Sequence, residues 1–321
     1  MQKQNPFGLL AVVGASTLWA IAANVASSLF AGGVSPFELA GVNAILAMIG
    51  LAAIKLLRRQ PFKAPNLPQL GLSALFVLFV GANNLAIAKL PVAIAIVLIF
   101  LAPGFVVLWK SLLSRRIPAP KILIALVLSF VGIVLVSDLV GSDLSQVNWF
   151  GIGVGLTTAI LFAAYTLLSE KIGATDTPVD ALLQTFSAAS LIWFGFLLTQ
   201  GLTAHLWDVA NAPKVFYMAL LGTLMPYLLF LYGVRNVQAE KAAIVASIEP
   251  FIAGMIAWIW FEQHLAPLQI IGGVLIVGAI ASLQIDNSHG SKKNLSSSKR
   301  HLPLLPEAQK LLHLKNKSSR C

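Results

Sequence analysis

The chain alternates long apolar runs with short polar breaks. A helix that crosses a bilayer needs about 20 mostly apolar residues, and it satisfies its own backbone hydrogen bonds where no water can. Runs of this kind predict ten helices, over residues 7–29, 37–57, 70–88, 92–109, 122–139, 149–168, 181–198, 215–234, 242–261 and 268–283. The fourth and tenth are short for a span. Proline marks the breaks. Pro36, Pro61, Pro65, Pro68, Pro91, Pro118, Pro120, Pro178, Pro213 and Pro267 fall at or near predicted helix starts, where a missing N–H costs little. Lys3 and the run after it have the look of a secretory leader. The run exceeds a leader core of roughly 7–15 residues, and many similar runs follow, so it is read as the first spanning helix.

Composition supports this pattern. Hydrophobic residues make up 58% of the chain and charged residues 11%, with a mean hydropathy of +0.84. Soluble domains carry roughly 25% charged residues, and a chain of this size cannot hide so much apolar surface from water. The expected fold class is an all-α integral membrane protein of about ten transmembrane helices. The single cysteine, Cys321, allows no intrachain disulfide.

The basic residues set an orientation. With a cytoplasmic N-terminus, Lys3, Lys55, Arg58, Arg59, Lys63, Lys110, Arg115, Arg116, Lys121, Lys171, Arg235, Lys241 and the whole C-terminal tail fall inside. Only Lys89 and Lys214 fall outside. The expected location is therefore the plasma (inner) membrane, multi-pass, with both termini cytoplasmic. The net charge is +10, and residues 287–321 contribute most of it through Lys292, Lys293, Lys299, Arg300, Lys310, Lys315, Lys317 and Arg320 against Glu307. Such a tail reads as a solvated segment, or as a contact with anionic lipid headgroups, with residues 306–315 able to form an interfacial helix. The basic balance belongs to this tail and does not indicate nucleic-acid binding.

The chain also resembles itself. Gly8 to Pro36 lies over Gly151 to Val179 at an offset of 143, which sets Trp19-Ala20 on Phe162-Ala163. At an offset of 147, Pro103 lies over Pro250 and Gly132 over Ala279. Each of the two prolines is expected mid-helix, in the fourth helix of its half. The predicted domains are two five-helix repeats, 8–140 and 149–285, followed by the tail at 287–321. Five is odd, so the halves should enter the membrane in opposite directions. The charges agree, since the loops that are basic in the first half are nearly free of base in the second. Inverted repeats of this kind place a site at the midplane between the halves in many transporters.

The second half carries Ala246-Ser247-Ile248-Glu249-Pro250-Phe251, then Phe261-Glu262, Leu265, Gln269, Gly272-Gly273 and Gly278. On these residues the chain resembles the EamA-like family of the drug/metabolite transporter superfamily. The first half matches more loosely, through Trp19, Pro103 and Gly132. It departs where Ala102 precedes the proline and where Arg115 stands opposite Glu262. The resemblance implies ten helices in two repeats and the export or exchange of small metabolites, with no particular cargo.

Polar groups inside a spanning helix are costly and each needs a reason. Glu249 is the sharpest. It suits proton coupling or the binding of a substrate amine, or else it caps broken backbone beside Pro250 or pairs between helices. Asn83 and Asn84, like Asn24 and Asn43, either line a site or hydrogen-bond between helices. Trp19, Tyr165, Tyr227 and Tyr232 are candidates for a cavity wall, against packing or an interfacial belt. The substrate-binding candidates are Trp19, Asn83, Asn84, Tyr165, Tyr227 and Glu249, with Pro103 and Pro250 as helix breaks. Ser16, Ala20, Ala23 and Ser27 share a small-residue packing face, as do Gly151 with Gly155 and Ala242, Ala246 and Ala253 around Glu249. Asp138, Asp143 and Glu262 are expected near the outer surface, and His205 and His264 in loops.

The sequence has no phosphate-binding glycine loop, zinc-binding helix or nucleophile elbow. No metal or cofactor is expected. The leading functional expectation is a secondary transporter of small metabolites such as amino acids, possessing an alternating-access site between the repeats and open to proton coupling. The alternatives are an intramembrane enzyme acting on lipid-linked substrates, which would need clustered ionisable residues at one membrane face, and a channel, which would need polar stripes along several helices.

Overall fold

The computed structural model describes residues 6–137, 139, 148–201, 204–262 and 265–284. The tail, Asp138, Asp143 and His264 lie outside them. Every regular element among the described residues is helical: α1 (Pro6–Ala31), α2 (Pro36–Leu57), α3 (Leu67–Lys89), α4 (Val92–Ile99), α5 (Ala102–Ser114), α6 (Pro120–Val136), α7 (Trp149–Gly173), α8 (Pro178–Gln200), α9 (Ala212–Ala219), α10 (Met225–Asn236), α11 (Ala239–Ala246), α12 (Glu249–Phe261) and α13 (Pro267–Gln284). Eight segments are long and apolar enough to cross a bilayer, and Pro120–Val136 and Pro267–Leu283 are shorter apolar helices. The protein is an all-α membrane protein of about ten helices. Leu78, Val127, Leu191, Ile259 and Val274 stand exposed along these helices, which suits an outer surface solvated by lipid.

Local chemistry starts the helices. Ser35 with Glu38, and Asn66 with Gln69, form reciprocal capping boxes. The side chains of Asn148 and Thr177 accept from the backbone N–H groups of Gly151 and Asp180. Pro36, Pro68, Pro120 and Pro178 occupy first or second helical positions.

The fourth expected helix of each half is broken in two rather than continuous. Pro103 and Pro250 supply no N–H, and their rings crowd the carbonyls four residues back, those of Ile99 and Ala246. The turn before each proline tightens in the same way. Leu101 N–H donates to Leu98 O at 3.1 Å, and Ile248 N–H to Val245 O at 3.2 Å. These positions are 147 apart. So are the ends of α5 and α12, where Arg115 (φ 51°) and Glu262 (φ 55°) both adopt the left-handed conformation. The extended caps Leu90 and Val237, before α4 and α11, keep the same spacing. α9 and α10 form one long helix interrupted by a π-turn at Leu220–Leu224. Pro226, with no N–H to offer Gly222, accounts for that bulge.

The core lies where the two halves meet. α3 packs on α7, α1 on α10 and α2 on α8. The main cluster includes Val12, Phe76, Phe79, Ala102, Phe162, Tyr165, Phe186, Tyr227 and Phe230. At the crossing of α6 and α13, a Cβ on Gly132 would lie 2.6 Å from Gly272 O, and one on Gly272 equally close to Gly132 O. The backbones touch there because neither residue has a side chain. Gln269 Nε2 donates to Val136 O across the same pair at 3.2 Å.

Candidate functional site

A cavity of about 500 Å³ opens between the two halves. α1 contributes Trp19, Ala23 and Ser27 to its wall, α2 Leu39 and Asn43, and α3 Phe76, Phe79, Asn83 and Asn84. The second half contributes Phe162, Phe186, Trp193, Thr223, Tyr227, Glu249 and Pro250. The lining runs outward to Phe30, Pro36 and Ile87, at the C-terminal end of α1, the start of α2 and the late turns of α3. This defines a mouth at that end of the bundle.

Aromatic rings form the floor. Trp19 lies edge-on to Tyr227 with ring centroids 5.2 Å apart and leans on Phe230 at 5.5 Å. Phe76 meets Tyr227 at 5.1 Å and Phe186 at 5.2 Å, both edge-to-face. Phe79 stacks on Phe162 at 5.0 Å. Edge-to-face and offset pairs of this kind add specific geometry to apolar burial.

The helix break sets one carboxyl into this apolar wall. Glu249 is the first residue of α12, directly before Pro250. The Ile99 and Ala246 carbonyls that the prolines deprive of a helical partner also belong to lining residues. Asn24 braces the break from the opposite half: its Nδ2 donates to Ala20 O at 3.0 Å and to Ala253 O at 3.2 Å. No lysine, arginine or histidine is among the described lining residues, and Glu249 is the one acidic residue there.

Of the residues singled out from the sequence, Trp19, Asn83, Asn84, Tyr227, Glu249 and Pro250 meet around this cavity. Tyr165 does not reach it. It is fully buried behind Phe76, Phe162 and Tyr227, with its hydroxyl beside Ser169. Pro103 is buried at the start of α5, away from the lining. Tyr232 is exposed on α10. The small-residue face of α1 divides: Ser16 and Ala20 are buried, whereas Ala23 and Ser27 line the cavity. Phe76, Phe79, Phe186 and Trp193 were not singled out. A phenylalanine in an apolar run carries no sign of which way it faces.

The opposite end of the bundle is closed by charge. Lys55 at the end of α2 pairs with Asp180 at the start of α8, both almost fully buried. Lys63 reaches the same Asp180 at 3.1 Å and Asp176 at 3.7 Å. Lys110 on α5 holds both oxygens of Glu170, at 2.8 and 2.9 Å. It also lies 2.5 Å from Glu240 Oε2.

A family model described as the EamA-like transporter family matches residues 6–138 and again 149–284. The chain belongs to the EamA-like transporter family. An uncharacterized transporter of Archaeoglobus fulgidus is 28% identical over 266 residues, covering 81% of this chain and 94% of its own. The threonine/homoserine exporter RhtA of Escherichia coli K12 is 29% identical over 269 residues, covering 81% of this chain and 85% of its own. One crystal structure superposes with a TM-score of 0.75 at 16% identity, over 87% of this chain and 96% of that one, a likeness of fold. Membership of this family makes the protein a membrane transporter.

Proposed function

We propose that the protein is a secondary transporter that exports or exchanges small metabolites, amino acids among them, by alternating access between two inverted five-helix repeats at 8–140 and 149–285. The observation that carries this reading is the cavity between the halves, lined at one end of the bundle and sealed at the other, with Glu249 set at a proline break in its wall. Its wall is complementary to a small amine-bearing solute. Glu249 takes the amine, the amides of Asn43, Asn83 and Asn84 take polar groups, and the aromatic floor takes an apolar body. The name of RhtA, an exporter of threonine and homoserine, points to the same class of cargo.

The excess of basic residues on one side supports cytoplasmic termini in a plasma (inner) membrane, and on that reading the mouth faces out. Glu249 couples transport to protons by taking one up when the cargo leaves. The basic tail engages anionic lipid headgroups. The test is counterflow in liposomes. Purified protein with unlabelled amino acids inside should accumulate labelled threonine, homoserine or another amino acid transiently and saturably. If no amino acid in a full panel exchanges, the cargo assignment fails; covalent change of a solute would return the intramembrane enzyme.

A further inference from the structure

The charged contacts at the sealed end share one property. Lys55, Lys63 and Lys110 come from the first half, and Asp176, Asp180, Glu170 and Glu240 from the second. Lys110 ties α5 to both α7 and α11, and Lys55 ties α2 to α8. These are the elements that would have to part for the cavity to open at that end. The contacts are partly or wholly dry. The Lys55 and Asp180 side chains are 2% and 7% exposed, and the Glu240 side chain 12%. Charges attract each other more strongly out of water than in it, and a charge that loses its partner while still buried is costly.

The mouth end is built differently. The offset of 147 maps Lys110 onto Ala257, and that of 143 maps Glu170 onto Ser27. The helix starts Pro36 and Pro178 map Lys55 onto Leu197. None of these three counterparts carries charge. The lysine–carboxylate pairs of the sealed end therefore have no counterpart pair at the equivalent positions of the mouth end, where Asp180 maps onto Glu38 but Lys55 onto Leu197.

We propose that Lys55–Asp180 and Lys110–Glu170–Glu240 form an ionic latch that holds the cavity open toward the mouth, and that releasing it is the step that exposes the cavity to the opposite face. The latch rests on the alternating-access reading. It makes the two gates unequal: opening the far side separates lysine–carboxylate pairs that the equivalent positions of the mouth end do not reproduce. Lys55, Lys110, Asp180, Glu170 and Glu240 are positioning residues, since none of them lines the cavity.

The test uses the full chain in a Cys321→Ser background, which removes its one cysteine. Ala243→Cys, one turn beyond Glu240 and 2% exposed, reports on the sealed end, and Ser27→Cys reports on the mouth. Labelling by a membrane-impermeant thiol reagent is followed with and without Lys110→Met, which keeps most of the side-chain stem. Release of the latch should speed labelling of Ala243→Cys by about tenfold, corresponding to about 1.4 kcal/mol, and should slow labelling of Ser27→Cys. Lys110→Arg should label as the native side chain does. Unchanged rates with Lys110→Met overturn the proposal, and so does a parallel rise at both cysteines, which marks a loosened bundle rather than a gate. Labelling needs no cargo. Reciprocal shifts without amino-acid counterflow overturn only the cargo assignment, and counterflow without the shifts overturns only the latch.

Discussion

Glu249→Gln isolates the one carboxyl in the cavity wall. The substitution exchanges a single oxygen for an amide NH2, and Pro250 still breaks the helix. Nothing basic among the described lining residues competes for the carboxyl, so its loss removes the one formal charge available to a cationic group. A hydrogen bond to a charged group contributes about 1.5–3 kcal/mol. At 1.4 kcal/mol per factor of ten, a solute amine should bind about tenfold to a hundredfold more weakly. An amide also takes up no proton in the physiological range, so it cannot couple flux to a pH gradient. The assay is uptake into proteoliposomes with and without an imposed pH difference, alongside counterflow at equal pH. The variant should lose the stimulation by the gradient and retain slow, saturable counterflow at raised KM. Flux that is still driven by the gradient in Glu249→Gln would refute the coupling role. An unchanged KM for amine-bearing solutes would refute the binding role.

Gly132→Ala forces apart the backbones of α6 and α13, because its Cβ would stand 2.6 Å from Gly272 O. Overpacking of this kind costs about 1–3 kcal/mol and should lower the melting temperature in detergent, whereas Gly278→Ala, whose Cβ meets nothing within 4 Å, should match or slightly exceed the native protein. Lys63 sits outside the spans, and its hydrogen bond to Asp180, followed by the Asp180 charge, raises its pKa above the usual 10.5. The folded state thus holds that proton more tightly, so its contribution is full below 10.5 and fades as pH climbs through the raised value. The melting-temperature gap between the native protein and Lys63→Met should therefore close in strongly alkaline buffer, and a gap that persists there contradicts the assignment.

The sequence carried the architecture well because lipid imposes it. Each helix needs a long apolar run and a polar break, and both are visible in one dimension. The prolines at 36, 68, 120, 178 and 267 marked helix starts to within a residue or two. Less was legible where periodicity is silent. An apolar helix in lipid is apolar on every side, so nothing distinguished Phe76 and Phe186 on the cavity wall from Leu78 and Leu191 on the outer surface. Tyr165 was misleading for the same reason, since a tyrosine in a span looks alike whether it lines a cavity or backs one. Lys55 and Lys110 served as markers of membrane side, but their partners lie 125 and 60 residues away. Pairing at that range is written in the packing and not in the local sequence.

The repeat itself leads to a further prediction. Ala102 and Glu249 occupy equivalent positions, each the first residue of a helix before a proline. Their surroundings are not equivalent: Glu249 borders the cavity, whereas Ala102 is 1% exposed within the main core. If local helix geometry alone decided where a carboxyl is tolerated, Ala102→Glu would be harmless. A carboxylate in the first turn gains up to about 1 kcal/mol from the helix dipole. Burying it unpaired costs several kcal/mol even after relaxation. The second effect outweighs the first, so Ala102→Glu should lower the melting temperature well below that of Glu249→Ala, which leaves its side of the break facing open space. Equal melting temperatures for the two variants would show that the break, and not the cavity, makes room for the acid. The two helix breaks share a backbone geometry; what separates them chemically is which side of that backbone meets the cavity.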